Sequence, residues 1–294
     1  MKLPYFPGCT LKTTATNLEI PALEVAKRLG IEMIELDRWN CCGVVSYLVS
    51  DDLMKHLAPV RNFLRVQEMN AKGIVENENR LVTLCSMCYN TLSLSNKRMQ
   101  KNPDDLQKIN DFMHREETKY DGSVEVVHLL PIIRELGWEA VRKQVKKPLK
   151  NIKVASYYGC MLLRPKDVGI DDAEDPKILE ELVSALGGET IDWDSGSRCC
   201  GSYHTVNNKD IVVNLSKGII DDARKNGADV IITSCPLCAF NLDSRQKDIM
   251  EKYPEFESMP VVFFSQLMGA AFDIEKEKLG WEANYISPEI LFNY

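Results

Sequence analysis

The sequence predicts an α/β protein made of two Rossmann-like halves with parallel sheets, related by a pseudo-twofold axis, with candidate metal sites at the C-terminal ends of the strands. Three observations predict this. The ten cysteines follow one order written twice: a single Cys, then Cys-Cys-Gly, then Cys-x-x-Cys. Equivalent cysteines lie 150 to 158 residues apart in a chain of 294, so the repeat is about half the molecule. Short apolar runs alternate with longer helical patterns, which is the signature of parallel βαβ units.

The elements repeat in register. Leu3 to Phe6 and Val154 to Tyr158 read as short strands rich in β-branched or aromatic residues, just before Cys9 and Cys160. A helix follows in each half. In the first it runs from Leu18 to Leu29 and stops at Gly30. In the second, Asp175-Pro176 offers a cap and first turn. There Ile178, Leu179, Leu182, Val183 and Leu186 share one face, and Gly187-Gly188 ends the helix. Next come a strand (Met33 to Leu36; Thr190 to Trp193) and the Cys-Cys-Gly groups. A second helix covers about 51–72 or about 208–226 and ends at Gly73 or Gly227. A third strand (Leu81 to Leu84; Val230 to Thr233) runs straight into Cys-x-x-Cys, and a last one recurs as Val126 to Leu129 and Val261 to Phe264. The predicted domains are 1–147 and 148–294, joined through the basic, proline-containing stretch from Lys143 to Lys150. Every cysteine group therefore follows a strand, at the sheet edge where open α/β sheets bind ligands.

Composition narrows the function classes. With 36 Lys+Arg against 43 Asp+Glu the net charge is -7, and no long basic run is present, which argues against nucleic acid as a partner. No stretch approaches 18 apolar residues, so no membrane-inserted segment is expected. The start, Met1-Lys2-Leu3-Pro4, lacks the apolar core of a secretion signal, and the expected location is the cytoplasm.

Five cysteines per half can be read in several ways. Disulfides suit an even count, but a large chain with a real core has no need of them. A redox dithiol uses two cysteines and leaves three unexplained. A zinc site takes four thiolates, so one would be spare. Adjacent Cys41-Cys42 also point apart unless the chain bends, which Gly43 and Gly201 would permit. Five thiolates also exceed the four corners of an ordinary cubane. The count favours an iron–sulfur centre that is unusual or has a spare thiol, with zinc in at least one half still open.

These motifs resemble the CCG cysteine-rich domain family in its duplicated form, and within it the heterodisulfide reductase subunits of the B type. The segments that carry the resemblance are Pro7-Gly8-Cys9, Trp39-Asn40-Cys41-Cys42-Gly43 and Cys85-Ser86-Met87-Cys88-Tyr89-Asn90 in the first half. In the second they are Tyr158-Gly159-Cys160 through Pro165, Cys199-Cys200-Gly201, Cys235-Pro236-Leu237-Cys238, and the closing run from Pro260 to Leu267. The resemblance implies two non-cubane 4Fe–4S clusters. Cys9, Cys41, Cys42, Cys85 and Cys88 would hold one, and Cys160, Cys199, Cys200, Cys235 and Cys238 the other. It further implies that the two clusters face each other, and that a small-molecule disulfide, of the CoM-S-S-CoB type or an analogue, is reduced between them in an anaerobic cytoplasmic complex.

The chain has no ferredoxin-type Cys-x-x-Cys-x-x-Cys run, no G-x-G-x-x-G and no P-loop. Electrons should therefore come from partners, which the resemblance identifies as a ferredoxin-like subunit of the C type and a flavin-containing subunit of the A type. The same family includes iron–sulfur electron-transfer subunits of flavin-dependent dehydrogenase complexes, and that is the rival reading. A zinc-stabilised scaffold is a third.

Two departures bear on the substrate. Gly43-Val44 follows the first pair, where proline directly follows the pair in the methanogen enzymes. The gap from Cys42 to Cys85 is 42 residues against 34 in the second half, with extra polar residues near Glu76 to Arg80. Among other side chains, Lys12, Arg164 and Lys166 follow the first cysteine of each half and could meet anionic arms of a substrate. Arg198 and His204 flank the second pair, and His204 is a candidate proton donor to a nascent thiolate. His128 reads as structural, while His56 and His114 carry no signal.

Overall fold

The computed structural model describes residues 1–44, 52–75 and 78–292. Asp51, the predicted start of the second helix, and Glu76 lie outside them. The first half contains β1 (Lys2–Phe6), α1 (Thr16–Arg28), β2 (Glu32–Glu35), α2 (Leu57–Ala71), β3 (Arg80–Thr83), α3 (Ser86–Lys101), α4 (Pro103–Phe112), β4 (Glu125–His128), α5 (Leu129–Leu136) and α6 (Trp138–Gln144). The second contains β5 (Lys153–Ser156), α7 (Ile178–Ala185), β6 (Glu189–Thr190), α8 (Lys209–Lys225), β7 (Val230–Thr233), α9 (Pro236–Ala239), a π-helical turn (Phe240–Ser244), α10 (Gln246–Lys252), β8 (Val261–Phe263) and α11 (Phe264–Ala271).

Both sheets are four-stranded and wholly parallel, with the same strand order: β2-β1-β3-β4 and β6-β5-β7-β8. The inner strands are buried along nearly their whole length, as parallel strands covered on both faces must be. Their Val, Ile and Leu residues supply that apolar surface. Helix α8 shows how the pattern selects its element. The Asn208 side chain caps it by accepting from Ile211 N (3.4 Å), and Val212, Val213, Ser216, Ile219, Ile220 and Ala223 form its buried face.

Two expectations shift. Helix α7 begins at Ile178 rather than at Asp175-Pro176, because the Asp171 carboxylate accepts from the backbone N–H groups of both Lys177 and Ile178 (2.8 Å each). Strand β6 ends at Thr190, because the chain then folds over the end of β5. There Gly196 O accepts from Tyr158 N (2.8 Å) and Gly159 N (3.1 Å). The basic stretch between the halves is no free tether. Lys146 N and Lys147 N both donate to Ala271 O (2.9 and 3.0 Å), and Leu149 N donates to Leu186 O (3.0 Å). We place the boundary between the halves in this bound segment, at 147/148.

The halves interlock through equivalent contacts. Helix α1 of the first packs on α11 of the second, where the Ser265 hydroxyl donates to Leu18 O (2.9 Å). Helix α5 of the first packs in turn on α7 of the second. Beside that contact Arg134 meets Glu181 (2.7 Å), and Trp138 Nε1 donates to the same carboxylate (2.9 Å). Exchange of corresponding helices is what a pseudo-twofold relation requires, and it turns the cysteine-bearing edges of both sheets toward one another.

Candidate metal centre

Each cysteine owes its place to a strand end or a helix start. Cys9 and Cys160 follow β1 and β5 in tight turns, Cys41-Cys42 and Cys199-Cys200 lie in the loops after β2 and β6, and Cys85 and Cys235 cap α3 and α9. Cys88 and Cys238 sit in the first turn of those helices. Backbone N–H groups at a helix start favour thiolate there.

The two halves sort their thiols alike. Cys42, Cys85 and Cys88 are buried, as are Cys200, Cys235 and Cys238. Cys9, Cys41 and Cys199 are exposed, and Cys160 is half-buried. Sulfurs approach in pairs: Cys9 to Cys41 at 3.9 Å, Cys42 to Cys88 at 3.4 Å and Cys200 to Cys238 at 3.6 Å. Cys85 and Cys235 lie close enough across the pseudo-twofold for each to shift the other's acidity. Beside them the Ser86 and Ser234 hydroxyls meet at 2.7 Å, and Ser86 N donates to Ser234 O (3.4 Å).

Glycines make the room. Gly8 (φ +75°) and Gly159 (φ +63°) sit in the left-handed region, and a Cβ on either would lie 3.1 Å from Cys88 Sγ or 3.3 Å from Cys238 Sγ. Gly43 and Gly201, at φ +77° and +81°, supply the bend after each Cys-Cys pair. Gly201 N donates to Cys199 Sγ (3.3 Å).

The crowding is electrostatic as well as steric. A bond from Cys41, helped by Cys88, pulls Cys42 down to about 4, and the same partnership pushes Cys41 up. Hydrogen bonds with Cys235 and Cys88 hold Cys85 well below the usual thiol range, while Cys88 is driven up, chiefly by donating to Cys42. In the second half Cys160 holds Cys199 down to about 6 and is itself raised. Cys238 pulls Cys235 down, but Cys85 and burial outweigh it and push that thiol up to about 12. Deprotonation thus alternates from sulfur to neighbouring sulfur. All five thiols of a half could be anionic together only beside a polycation. Among the described residues no three His, Cys, Asp or Glu side chains converge as they would around one ion. Five thiols in each half outnumber the four ligands of one tetrahedral ion, so the donor set suits a wider group.

The remaining candidates are placed unevenly. His204 is exposed, in the turn after Cys-Cys-Gly, close enough for its charge to favour Cys199 thiolate. Lys12 directs its ammonium away from the sulfurs, to Glu19 (2.8 Å) and Glu35 (2.6 Å). Arg164 meets Glu174 (3.2 Å) and the carbonyls of Ala173 and Ser197 (3.1 and 3.4 Å), and it borders an apolar hollow with Met161 and Tyr203. Lys166 is exposed and acts on Asp172. His128 is buried, with its Nε2 2.8 Å from Leu84 O and its Nδ1 accepting from Leu130 N (3.2 Å). Burial lowers its pKa to about 4.

Two functional residues are not singled out by the sequence. Asn90, buried on α3, donates to Met161 O (2.8 Å) and Arg164 O (2.7 Å), so it clamps the Cys160 loop of the opposite half. Asn241 donates to Cys200 Sγ and Cys200 O (3.4 Å each) and accepts from the Thr205 hydroxyl (2.9 Å). Their only signal in the sequence is closeness to Cys-x-x-Cys.

The pattern of the CCG cysteine-rich domain matches residues 3–93 and again residues 154–243. The chain belongs to this family, in its duplicated form. Its relatives within and around the CCG family extend over nearly the whole chain. It is 33% identical over 283 residues, 96% of each protein, to the 8-methylmenaquinol:fumarate reductase membrane anchor subunit of Wolinella succinogenes. It is 29% identical over 290 residues, covering 97% of this chain and 94% of the other, to the B-type subunit of the ferredoxin:CoB-CoM heterodisulfide reductase of Methanosarcina mazei. A solved structure of a hypothetical protein from Helicobacter pylori shares the fold, with a TM-score of 0.76 at 15% identity. It covers 97% of this CCG chain, which spans 51% of that one. Among the described residues no helix is long and apolar enough to cross a membrane.

Proposed function

We propose that this chain is the cytoplasmic iron–sulfur subunit of a heterodisulfide-reductase-like complex, in which a thiol disulfide takes up two electrons and two protons and leaves as two thiols. The observation that carries this reading is the meeting of the two cysteine pentads at the pseudo-twofold, where the Ser86 and Ser234 hydroxyls, next to Cys85 and Cys235, lie 2.7 Å apart. Cys9, Cys41, Cys42, Cys85 and Cys88 hold one non-cubane 4Fe–4S cluster, and Cys160, Cys199, Cys200, Cys235 and Cys238 hold the other. When bound, these clusters supply one-electron steps, so a pair of them suits a bond whose cleavage needs two electrons.

The chain's own residues do the rest. Gly8 and Gly159 leave the space beside Cys88 and Cys238 that any side chain would fill, and Gly43 and Gly201 give the bend after each Cys-Cys pair. The start of α3 favours thiolate at Cys85, which is held well below the usual thiol range. Asn90 and the Ser86–Ser234 pair keep the two sites in register. His204 Nδ1 or Nε2 gives a proton to the nascent thiolate at the second site. Arg164 and Lys166 line the approach from that side for an anionic arm, and Lys12, already bound to two carboxylates, orients the loop of Cys9. Electrons arrive from a ferredoxin-like subunit of the C type and a flavin-bearing subunit of the A type.

The fumarate reductase relative favours a second reading, an electron-transfer subunit linking a flavoprotein to a quinone. Anaerobically purified protein separates these. Both readings expect about eight irons and as many sulfides per chain. The first expects thiol release from a disulfide with a reduced viologen, and cluster signals perturbed by added thiol. The second expects neither, and expects oxidation by a menaquinone analogue in the reconstituted complex. Zinc with no iron would end both.

A further inference from the structure

A cavity of about 610 Å³ opens beside β5 and β6 of the second half, within the size range of small-ligand sites. Glu180, Asp192, Asp194, Trp193 and Ser156 are among its lining. Glu174, Asp175 and Lys177 line it too; Lys177 pairs with Asp175 while also feeling the charges of Glu180 and Asp192, and Arg164 pairs with Glu174. Among the described residues neither Asp192 nor Asp194 has an ion-pair partner. Carboxylates alone would say little, but the first half shows what such a place holds.

In β1 and β2, Tyr5 pairs in register with Glu35; counted on from the Val154–Thr190 pair, Ser156 and Asp192 are their counterparts, with Asp192 just past the end of β6. Around Tyr5 and Glu35 the space is filled. The Tyr5 hydroxyl donates to Glu19 (3.1 Å), and the Lys12 ammonium sits between Glu19 (2.8 Å) and Glu35 (2.6 Å). The second half keeps the acids but lacks the tyrosine and the lysine at these two places, and its own cation on the cavity wall, Lys177, is paired with Asp175 instead. Asp192 stands for Glu35. Glu180 lies in the first turn of α7 as Glu19 does in α1, and it accepts from the Tyr158 hydroxyl. Ser156 is too small to replace Tyr5, and Leu163, three residues after Cys160 as Lys12 is after Cys9, is a core residue without charge. The Ser156 hydroxyl is 2% exposed and completes no hydrogen bond, and it lies beside Glu180, whose carboxyl pKa is raised by burial.

We propose that this cavity binds an alkylammonium group between Glu180 and Asp192, with the Ser156 hydroxyl as a further acceptor, in the way the first half binds its own Lys12. The reach of a lysine side chain fits the space, and so does a free amine; the chemistry is the same. Trp193 offers its ring to the same cation.

The test uses the full chain with its clusters loaded, titrated with butylammonium chloride at low salt by calorimetry. The expected result is saturable binding at one site, weakened at least tenfold in Asp192→Asn and in Ser156→Tyr, with unchanged iron content in both. Butanol should not bind. If Ser156→Tyr fails to fold, Asp192→Asn decides. No saturable heat, binding unchanged in Asp192→Asn, or equal displacement by magnesium would overturn the proposal. In the purified complex, carbodiimide coupling joins Asp192 or Glu180 to a partner lysine if a side chain is the occupant. An acid extract releases a stoichiometric amine if a free molecule is. The absence of both also overturns it.

Discussion

The two halves share one topology, one cysteine order and matching glycines and serines at the centre, yet they differ at other residues that touch it. At the second position of the π-helical turn, Asn241 of the second half gives an N–H to Cys200 Sγ, while the same place in the first half is Thr91, whose buried hydroxyl has no hydrogen-bond partner. Two residues on, Asp243 stands where the first half has Ser93. On α3, Asn90 crosses to the opposite half, whereas its equivalent, Phe240, points to solvent. The repeat therefore keeps the sulfur donors and lets the surroundings diverge, which is how two like sites can be given unlike tasks.

The largest effect should come from what the halves have in common. Cys42→Ala and Cys200→Ala should each remove about four of about eight irons, and both should abolish turnover; iron and sulfide analysis checks this. Unequal losses would show that one pentad alone holds a cluster.

Asp243 gives the next effect. Burial raises its pKa from 3.8 to about 6, against the pull of the Ile286 and Tyr285 N–H groups that it accepts (3.0 and 2.6 Å). An acid whose folded pKa is raised contributes stability that is full below its unfolded value and is lost as pH rises through the folded one. The protein should therefore lose roughly 2 kcal/mol between pH 4 and pH 7 through this group. Denaturant midpoints of the wild type and Asp243→Asn across that window should diverge accordingly, whereas Ser93→Ala should add no pH dependence.

Asn90→Ala strands two carbonyls across the interface, which should cost about 2 kcal/mol and slow disulfide turnover while iron content holds. Phe240→Ala, at the equivalent place, should stay within about 0.5 kcal/mol. Equal effects would erase the distinction between brace and surface. The smallest effect is electronic. Loss of one N–H···S bond in Asn241→Leu, about 0.5–1 kcal/mol, should make the second centre's midpoint more negative by roughly 20–40 mV. A potentiometric titration followed by EPR should show the first centre unmoved.

The strand ends and the cysteine order were legible because both are local: β-branched and aromatic runs stop at Cys9, Cys85, Cys160 and Cys235, and the parallel sheets follow from their alternation with helices. Helix α4 carries a signal of its own that the repeat pattern obscures, since Pro103 opens it with Asp104 and Asp105 in its first turn. The shortening of β6 was hidden, because it depends on Gly196 O reaching back to Tyr158 N, a contact set by the fold rather than by the pattern of Thr190 to Trp193. Lys12 looks like a substrate cation on position alone. Its partners Glu19 and Glu35 lie 7 and 23 residues away in sequence, and only the pairing of β1 with β2 brings the second one in. The acid-lined cavity could have been suspected from the exchange of Tyr5 for Ser156 at equivalent places in the repeat.

The exchange of α1 and α5 for α7 and α11 has a structural corollary. Each contact occurs with its symmetry mate, as at the isologous interface of a homodimer, so the molecule is two protomers carried on one backbone. The segment from Val145 to Lys150 acts as the tether that raises the effective concentration of one protomer at the other. Because the partners never dilute apart, each is free to mutate without having to recognise an identical copy of itself.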